Sequence, residues 1–263
     1  PEAAVAAVRS LRRRELFRTA VAELVHVSGV DQSGVSLSDV ASATMAAALQ
    51  VAMSVVEAST GGALPMRFTI IGMGRFGGHE LGFGSDVDVM FVYEPFDGAD
   101  EQAANSAAFS VANELRRLLM VPSADPPVDV DADLRPEGKQ GPLVRSLDSY
   151  RAYYERWSSG WEAQALLRAD VAAGDEELGA AFLKLIDGLR YPPGGIGEEQ
   201  VREIRRLKAR MESERLPRGA DPALHTKLGR GGLSDVEWVV QVIQMQHAHG
   251  ISGLRTTRTL DAL

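Results

Sequence analysis

Between Ile71 and Phe91 the chain reads Ile-Gly-Met-Gly-Arg-Phe-Gly-Gly-His-Glu-Leu-Gly-Phe-Gly-Ser-Asp-Val-Asp-Val-Met-Phe. No other stretch limits the fold so strongly. Glycines at 72, 74, 77, 78, 82 and 84 argue against any long regular element there, because each glycine inside a helix costs about 1 kcal/mol relative to alanine. Arg67–Ile71 before it and Val87–Tyr93 after it are apolar and β-branched, and both read as strands. A strand, a glycine loop and a second strand are therefore expected. Its glycines carry no side chains, so the backbone N–H groups there can come close to a phosphate.

Successive residues of a strand face opposite ways, so Asp86 and Asp88 project together while Val87, Val89 and Phe91 pack on the other side. Two carboxylates side by side repel one another, and a hard cation between them relieves the repulsion. Magnesium suits such a place, since it takes a few carboxylates and completes its shell with phosphate oxygens. Val128–Leu134 alternates as Val-Asp-Val-Asp-Ala-Asp-Leu, which predicts a third strand with Asp129, Asp131 and Asp133 as sources of a further ligand. The plainer alternative has Asp86 ending a loop and Asp88 facing water. The glycine approach and the second aspartate strand together favour the metal site. Two other glycine-loop chemistries fit poorly. Gly72-Met73-Gly74-Arg75-Phe76-Gly77 matches the dinucleotide fingerprint, but that fold needs a full helix after the glycines and an acid at the end of the next strand. Here more glycines follow and the acids begin the strand. No Gly-Lys-Ser/Thr closes a Walker A loop.

The remainder predicts an α/β core flanked by helices. Ala4–Glu57 carries helical spacing with a break near Gly29–Ser38, and Arg12-Arg13-Arg14 beside Glu15 reads as a solvated helix face. Gln102–Met120 is amphipathic, with Ala107, Val111, Leu115 and Leu118 on one face. After about Ser146 strand signals fade. Tyr150–Ala172, Asp175–Leu189 and Glu198–Glu214 read as helices, separated by loops at Tyr191–Gly195 and Pro217–Pro222. The expected division is 1–150, with leading helices and a core at about 61–150, and 151–263 as a helical bundle. With 28 Lys and Arg against 36 Asp and Glu, the net charge is −8, which disfavours a nucleic-acid partner. Cysteine is absent, so disulfides, thiolate metal sites and cysteine nucleophiles are excluded and a cytoplasmic location is expected. No apolar run approaches the roughly 20 residues that span a bilayer, and no membrane partner is expected. The start at Pro1 and the closing Thr259–Leu263, which reads like a helix cut short, suggest a piece of something longer.

Gly74 lies twelve positions before Asp86, and this glycine turn followed by Asp-hydrophobic-Asp resembles the nucleotidyltransferase superfamily that shares the polymerase-β-like palm. Within it, the run Gly72–Val89 is similar to the bifunctional glutamine-synthetase adenylyltransferase and adenylyl-removing family. The resemblance continues through Val130-Asp131-Ala132-Asp133-Leu134-Arg135-Pro136, then Trp161-Glu162-Ala163-Gln164-Ala165-Leu166-Leu167-Arg168, then Lys227–Glu237. Arg75 stands where the family usually carries Lys, and Asp133 where relatives often have Arg, so Asp133 competes with Asp131 as ligand. His79 is not diagnostic. Helical spacing puts Gln164 and Arg168 on one face. Ser234 and Glu237 form a capping-box pattern ahead of a helix whose apolar face is Val236, Val239, Val240 and Ile243. The glycines before it, with Lys227, offer an anion site as the alternative to plain capping. His247 and His249 diverge on a helix and read as surface residues.

The resemblance implies a palm of mixed sheet and helices, with N-terminal helices and a C-terminal helical bundle. It implies magnesium-dependent transfer of AMP from ATP to a tyrosine of glutamine synthetase, and so regulation of nitrogen assimilation. Asp86, Asp88 and Asp131 would hold two magnesium ions, with manganese as the alternative. Gly74, Arg75, Ser85, Arg135, Arg168 and Lys227 would contact the nucleotide. A PII-type signal protein is the implied regulator of the full-length enzyme. Both halves of this family share the aspartates. The segment Trp161–Arg168, with Gly174-Asp175 after it, looks more like the transferring half than the phosphorolytic, AMP-removing half. The third reading is a non-catalytic copy that binds nucleotide or regulator.

Overall fold

Two strands do bracket the glycine segment. The computed structural model describes residues 1–157, 160–217 and 219–263. Ser158 and Ser159, in the stretch read as helical, and Arg218, in the Pro217–Pro222 loop, lie outside the described residues. In chain order the elements are α1 (Glu2–Leu24), α2 (Val30–Thr60), β1 (Met66–Gly72), a single turn α3 (Gly74–Gly77), β2 (Val87–Pro95), α4 (Glu101–Met120), β3 (Val130–Asp131), β4 (Val144–Ser146), α5 (Leu147–Trp157), α6 (Gly160–Leu166), β5 (Asp170–Gly174), α7 (Glu176–Arg190), α8 (Glu198–Arg215) and α9 (Leu233–His247). They form two compact units. One comprises Pro1–Arg156 with Arg168–Leu185, the other Trp157–Leu167 with Ile186–Leu263. The sequence-based division at residue 150 had placed Arg168–Leu185 with the helical part.

The first unit is mixed α/β. Its sheet runs β3-β2-β1-β5. β1 is antiparallel to both β2 and β5. β2 is parallel to β3, at Val87–Asp88, and to β4, at Phe91–Tyr93, so both short strands line the same edge. The period of two sorts the side chains. Met66, Phe68 and Ile70 of β1 and Val87, Val89, Phe91 and Tyr93 of β2 enter one core with Met45, Ala48 and Ala52 of α2 and Ala108, Val111 and Leu115 of α4. Burying each large apolar side chain of this kind is worth about 1.5–3 kcal/mol. Asp100 caps α4 by accepting the Ala103 N–H at 2.7 Å, as Asp at an N-cap does.

Several expectations are corrected. The helical break falls at Val25–Gly29, earlier than most of the expected Gly29–Ser38, and α2 already runs from Val30. Its small residues have a packing use: a Cβ on Gly34 would meet Glu80 Cα at 3.2 Å, and Ser38 Oγ donates to Gly34 O at 2.8 Å. By length and composition α2 is also apolar enough to cross a membrane. Its fully buried Met45, Ala48 and Ala52 give a core helix the same apolarity. Arg12 is half-buried rather than solvated, and burial, followed by the charge of Arg9, lowers its pKa. β3 covers only Val130–Asp131 of the predicted Val128–Leu134, since Arg135 N–H turns back to Ala132 O. Tyr150–Ala172 is not continuous helix either. It contains α5, α6 and the start of β5, whose Asp-Val-Ala-Ala-Gly run is too short to show strand periodicity.

In the second unit Ala163, Leu167, Tyr191, Val201, Ile204 and Met245 form a small core. The predicted capping box is absent from α9. Gly232 is its N-cap, while Ser234 is buried and donates its hydroxyl to Lys227 O at 2.6 Å. Of the predicted apolar face only Val240 is buried; Val236, Val239 and Ile243 are exposed.

Candidate active site

The three aspartates come together at one end of the β2–β3 pair. Asp88 and Asp131 are register partners across the parallel ladder, where neighbouring strands lie about 4.8 Å apart. Asp86 sits just before β2. One carboxylate oxygen from each of Asp86, Asp88 and Asp131 lies within 4.8 Å of the others. Asp86 is exposed and the other two are half-buried. Magnesium–oxygen bonds of about 2.0–2.1 Å place opposite ligands roughly 4.2 Å apart, so an all-oxygen donor set of this span fits a hard divalent ion. Asp131 is oriented in advance, since its Oδ1 accepts the Asp133 N–H at 2.6 Å. Asp133 itself is engaged elsewhere, 3.1 Å from Lys139 Nζ and 3.6 Å from Arg135 Nη1. Asp129 holds the ladder through its carbonyl, which accepts the Val87 N–H at 2.9 Å.

The glycine turn is built against these carboxylates. Met73 N–H donates to Asp88 O at 2.8 Å, closing the turn onto β2. Gly74 has φ +53°, and a Cβ there would lie 2.3 Å from Asp88 Oδ2, so both conformation and space require glycine. Gly77 is as tightly constrained, since its Cβ would fall 2.0 Å from Arg168 O and 2.2 Å from Gly72 O. Being at the start of a helical turn, the N–H groups of Gly74, Arg75 and Phe76 have no preceding helical carbonyls. Arg75 is half-buried, and its guanidinium makes no hydrogen bond or ion pair among the described residues. It lies along the loop, where a Cβ on Gly82 would be 3.7 Å from Arg75 Nη1. Ser85 Oγ accepts the Gly82 N–H at 3.1 Å, fixing the loop immediately before Asp86.

The side chains of Arg135 and Arg168 have partners other than the three aspartates. Arg135 donates to the carbonyls of Gly141 (3.0 Å), Ala132 (2.8 Å) and Lys139 (3.3 Å), so it ties together the loop after β3. Arg168 is buried, 5% exposed, and its Nη1 donates to Glu80 Oε2. α6 ends at Leu166, so Arg168 shares no helical face with Gln164, which donates to Gln241 in the second unit at 2.7 Å. Lys227 belongs to the second unit and is exposed. Beside it the N–H groups of Gly232, Leu233, Ser234 and Asp235 all donate to backbone carbonyls, which is the plain capping alternative. Two contacts escaped the sequence reading. His79 Nε2 lies 2.8 Å from Asp170 Oδ2, and Glu80 pairs with Arg168. The only available signal was a non-glycine residue placed directly after Gly77-Gly78.

The family model described as glutamate-ammonia ligase adenylyltransferase matches residues 1–185. A bifunctional glutamine synthetase adenylyltransferase/adenylyl-removing enzyme of Streptomyces coelicolor is 64% identical over 99% of the chain and 27% of its own length. Proteins of the same description from Nocardia farcinica and Mycobacterium tuberculosis are 56% and 54% identical, each over 100% of the chain and 26% of the relative. The chain thus spans about a quarter of the length of these relatives.

Proposed function

Because the chain belongs to the glutamate-ammonia ligase adenylyltransferase family, we propose that its first unit is a polymerase-β-like palm that transfers AMP from ATP to a tyrosine of glutamine synthetase. The observation carrying this reading is the meeting of Asp86, Asp88 and Asp131 beside a turn whose Gly74 abuts the Asp88 carboxylate. Magnesium held by the three carboxylates would neutralise triphosphate charge and lower the barrier to attack at the α-phosphorus. Asp86, just before β2, and Asp88, within it, would hold the ions. Asp131, on the neighbouring strand, stands beside the attacking hydroxyl and draws off its proton. Arg75 and the N–H groups of Gly74–Phe76 bind the β- and γ-phosphates, placing pyrophosphate opposite the incoming oxygen. The oxygen–phosphorus bond to tyrosine forms as the bond to pyrophosphate breaks.

The relatives' description also names AMP removal, which makes phosphorolysis of AMP-tyrosine the second reading. We favour transfer on the resemblance of Trp161–Arg168 and Gly174-Asp175 to the transferring half. A transferring site must hold triphosphate and a hydroxyl together, whereas a removing site must admit inorganic phosphate. The test is incubation of the protein with magnesium, ATP and unmodified glutamine synthetase. A subunit mass increase of one AMP is expected. Absence of that increase, with ADP released from modified enzyme on adding phosphate, reassigns the chain to removal. In the full-length enzyme a PII-type signal protein is the proposed regulator.

A further inference from the structure

The end of the glycine turn has an unusual construction. α3 closes as a Schellman motif: Glu80 N–H donates to Arg75 O at 2.9 Å and His79 N–H to Phe76 O at 3.1 Å. The residue that turns left-handed in such a motif is usually glycine. Here it is His79, with φ +52°, although Gly77 and Gly78 stand next to it. A non-glycine residue in this region is strained and persists where its surroundings fix it. Those surroundings are specific. His79 Nε2 meets Asp170 Oδ2 at 2.8 Å, and Glu80 meets the buried Arg168. Asp170 opens β5 and is the register partner of Gly72, the last residue before the turn. The Arg168 carbonyl occupies the space where Gly77 lacks a side chain. From behind, Gly34 of α2 lies against the backbone of residues 79 and 80, and Leu81 N–H donates to Ser38 Oγ at 3.4 Å.

We propose that His79 and Asp170 are positioning residues for nucleotide binding: their pairing clamps the C-terminal end of the glycine turn to β5 and thereby sets where Gly74 and Arg75 stand relative to Asp88. This rests on the nucleotide-binding reading of the turn given above. His79 acts through the four residues of α3. The turn is short and hydrogen-bonded end to end, so a shift at His79 is carried to Arg75, whose carbonyl accepts from Glu80. Side-chain pairing explains why a histidine occupies a position for which glycine is the conformationally easy residue.

The informative variant is H79G. Glycine relieves the left-handed strain, so the variant folds with a melting temperature no lower than the parent's while losing the side-chain tether. The Kd for magnesium-ATP, by calorimetry, is expected to rise about tenfold, equivalent to about 1.4 kcal/mol of binding. The loss should appear more in affinity than in the rate at saturating magnesium-ATP, because the three aspartates themselves are unchanged. D170A should reproduce the effect, and the double variant should add little, as for residues acting as a pair. A Kd for H79G within about twofold of the parent's overturns the clamp, and so does a loss of affinity that merely follows a lower melting temperature. A parent that binds no magnesium-ATP removes the nucleotide-binding reading and the clamp with it, an outcome distinct from equal binding by both proteins.

Discussion

Replacing Gly74 by alanine tests the closest contact in the site. At φ +53° an alanine is strained, by about 1–2 kcal/mol for an L-residue in the left-handed region. For a domain of this size each kcal/mol lowers the melting temperature by about 2–4 °C, so the strain alone predicts a fall of roughly 2–8 °C. The second effect is local. The new Cβ would stand 2.3 Å from Asp88 Oδ2, and the carboxylate must retreat by about 1 Å to reach ordinary van der Waals contact. A misplacement of that size costs on the order of 100-fold in rate. The assay is incorporation of labelled AMP into glutamine synthetase, with a thermal melt of the same sample. Two controls separate strain from site. Gly98, after β2 and at the opposite end of that strand from Asp88, has φ +77° with open space around it, so G98A should lose stability and keep its rate. Gly84, which also has nothing within 4 Å, should tolerate alanine on both counts. Activity of G74A within about tenfold of the parent, or an equal loss in G98A, refutes the steric reasoning.

The remaining expectations concern charge. Asp86→Asn and Asp88→Asn each keep the side-chain shape and remove a ligand charge, so turnover should vanish with the fold intact. The rise in melting temperature that magnesium-ATP gives the parent should be largely lost in the double variant. Asp131→Asn should depress the rate far more than it weakens ATP binding, whereas Asp133→Asn, at a residue paired with Lys139 and Arg135, should be tolerated; the reverse pattern exchanges their roles. In the second unit the Asp235 carboxyl is held below the usual carboxylate range, chiefly by the hydrogen bond from Lys208 and then by Gly231 N–H at 2.6 Å. A depressed value means stability that is present above the unfolded pKa of about 3.9 and is lost as pH falls through the folded one. Melting temperatures of parent and Asp235→Asn should therefore differ at neutral pH and converge in acid. Parallel curves down to pH 2 would exclude that linkage.

Much of the site was legible in the residues themselves. Alternation along a strand is a property of the backbone, so Asp-Val-Asp suggested one face for Asp86 and Asp88; β2 begins only at Val87, yet the two carboxylates do meet. The third carboxylate was partly legible. Val-Asp-Val-Asp-Ala-Asp offered three aspartates, and the resemblance chose Asp131. Only the β2–β3 register, Asp88 opposite Asp131, makes that choice in space, and a register between strands 43 residues apart leaves no periodic trace in either one. Arg135 and Arg168 illustrate the same limit. Their sequence context suggested phosphate contacts, but the structure directs Arg135 to loop carbonyls and Arg168 to Glu80. β5 was hidden because five short residues carry too few alternations to show a period, and its strand character comes from pairing with β1. His79 was passed over because its meaning lies in a left-handed backbone and in Asp170, 91 residues away. Local chemistry determined which residues can do the work; long-range pairing, whose energy depends on partners distant in the chain, decided which of them meet.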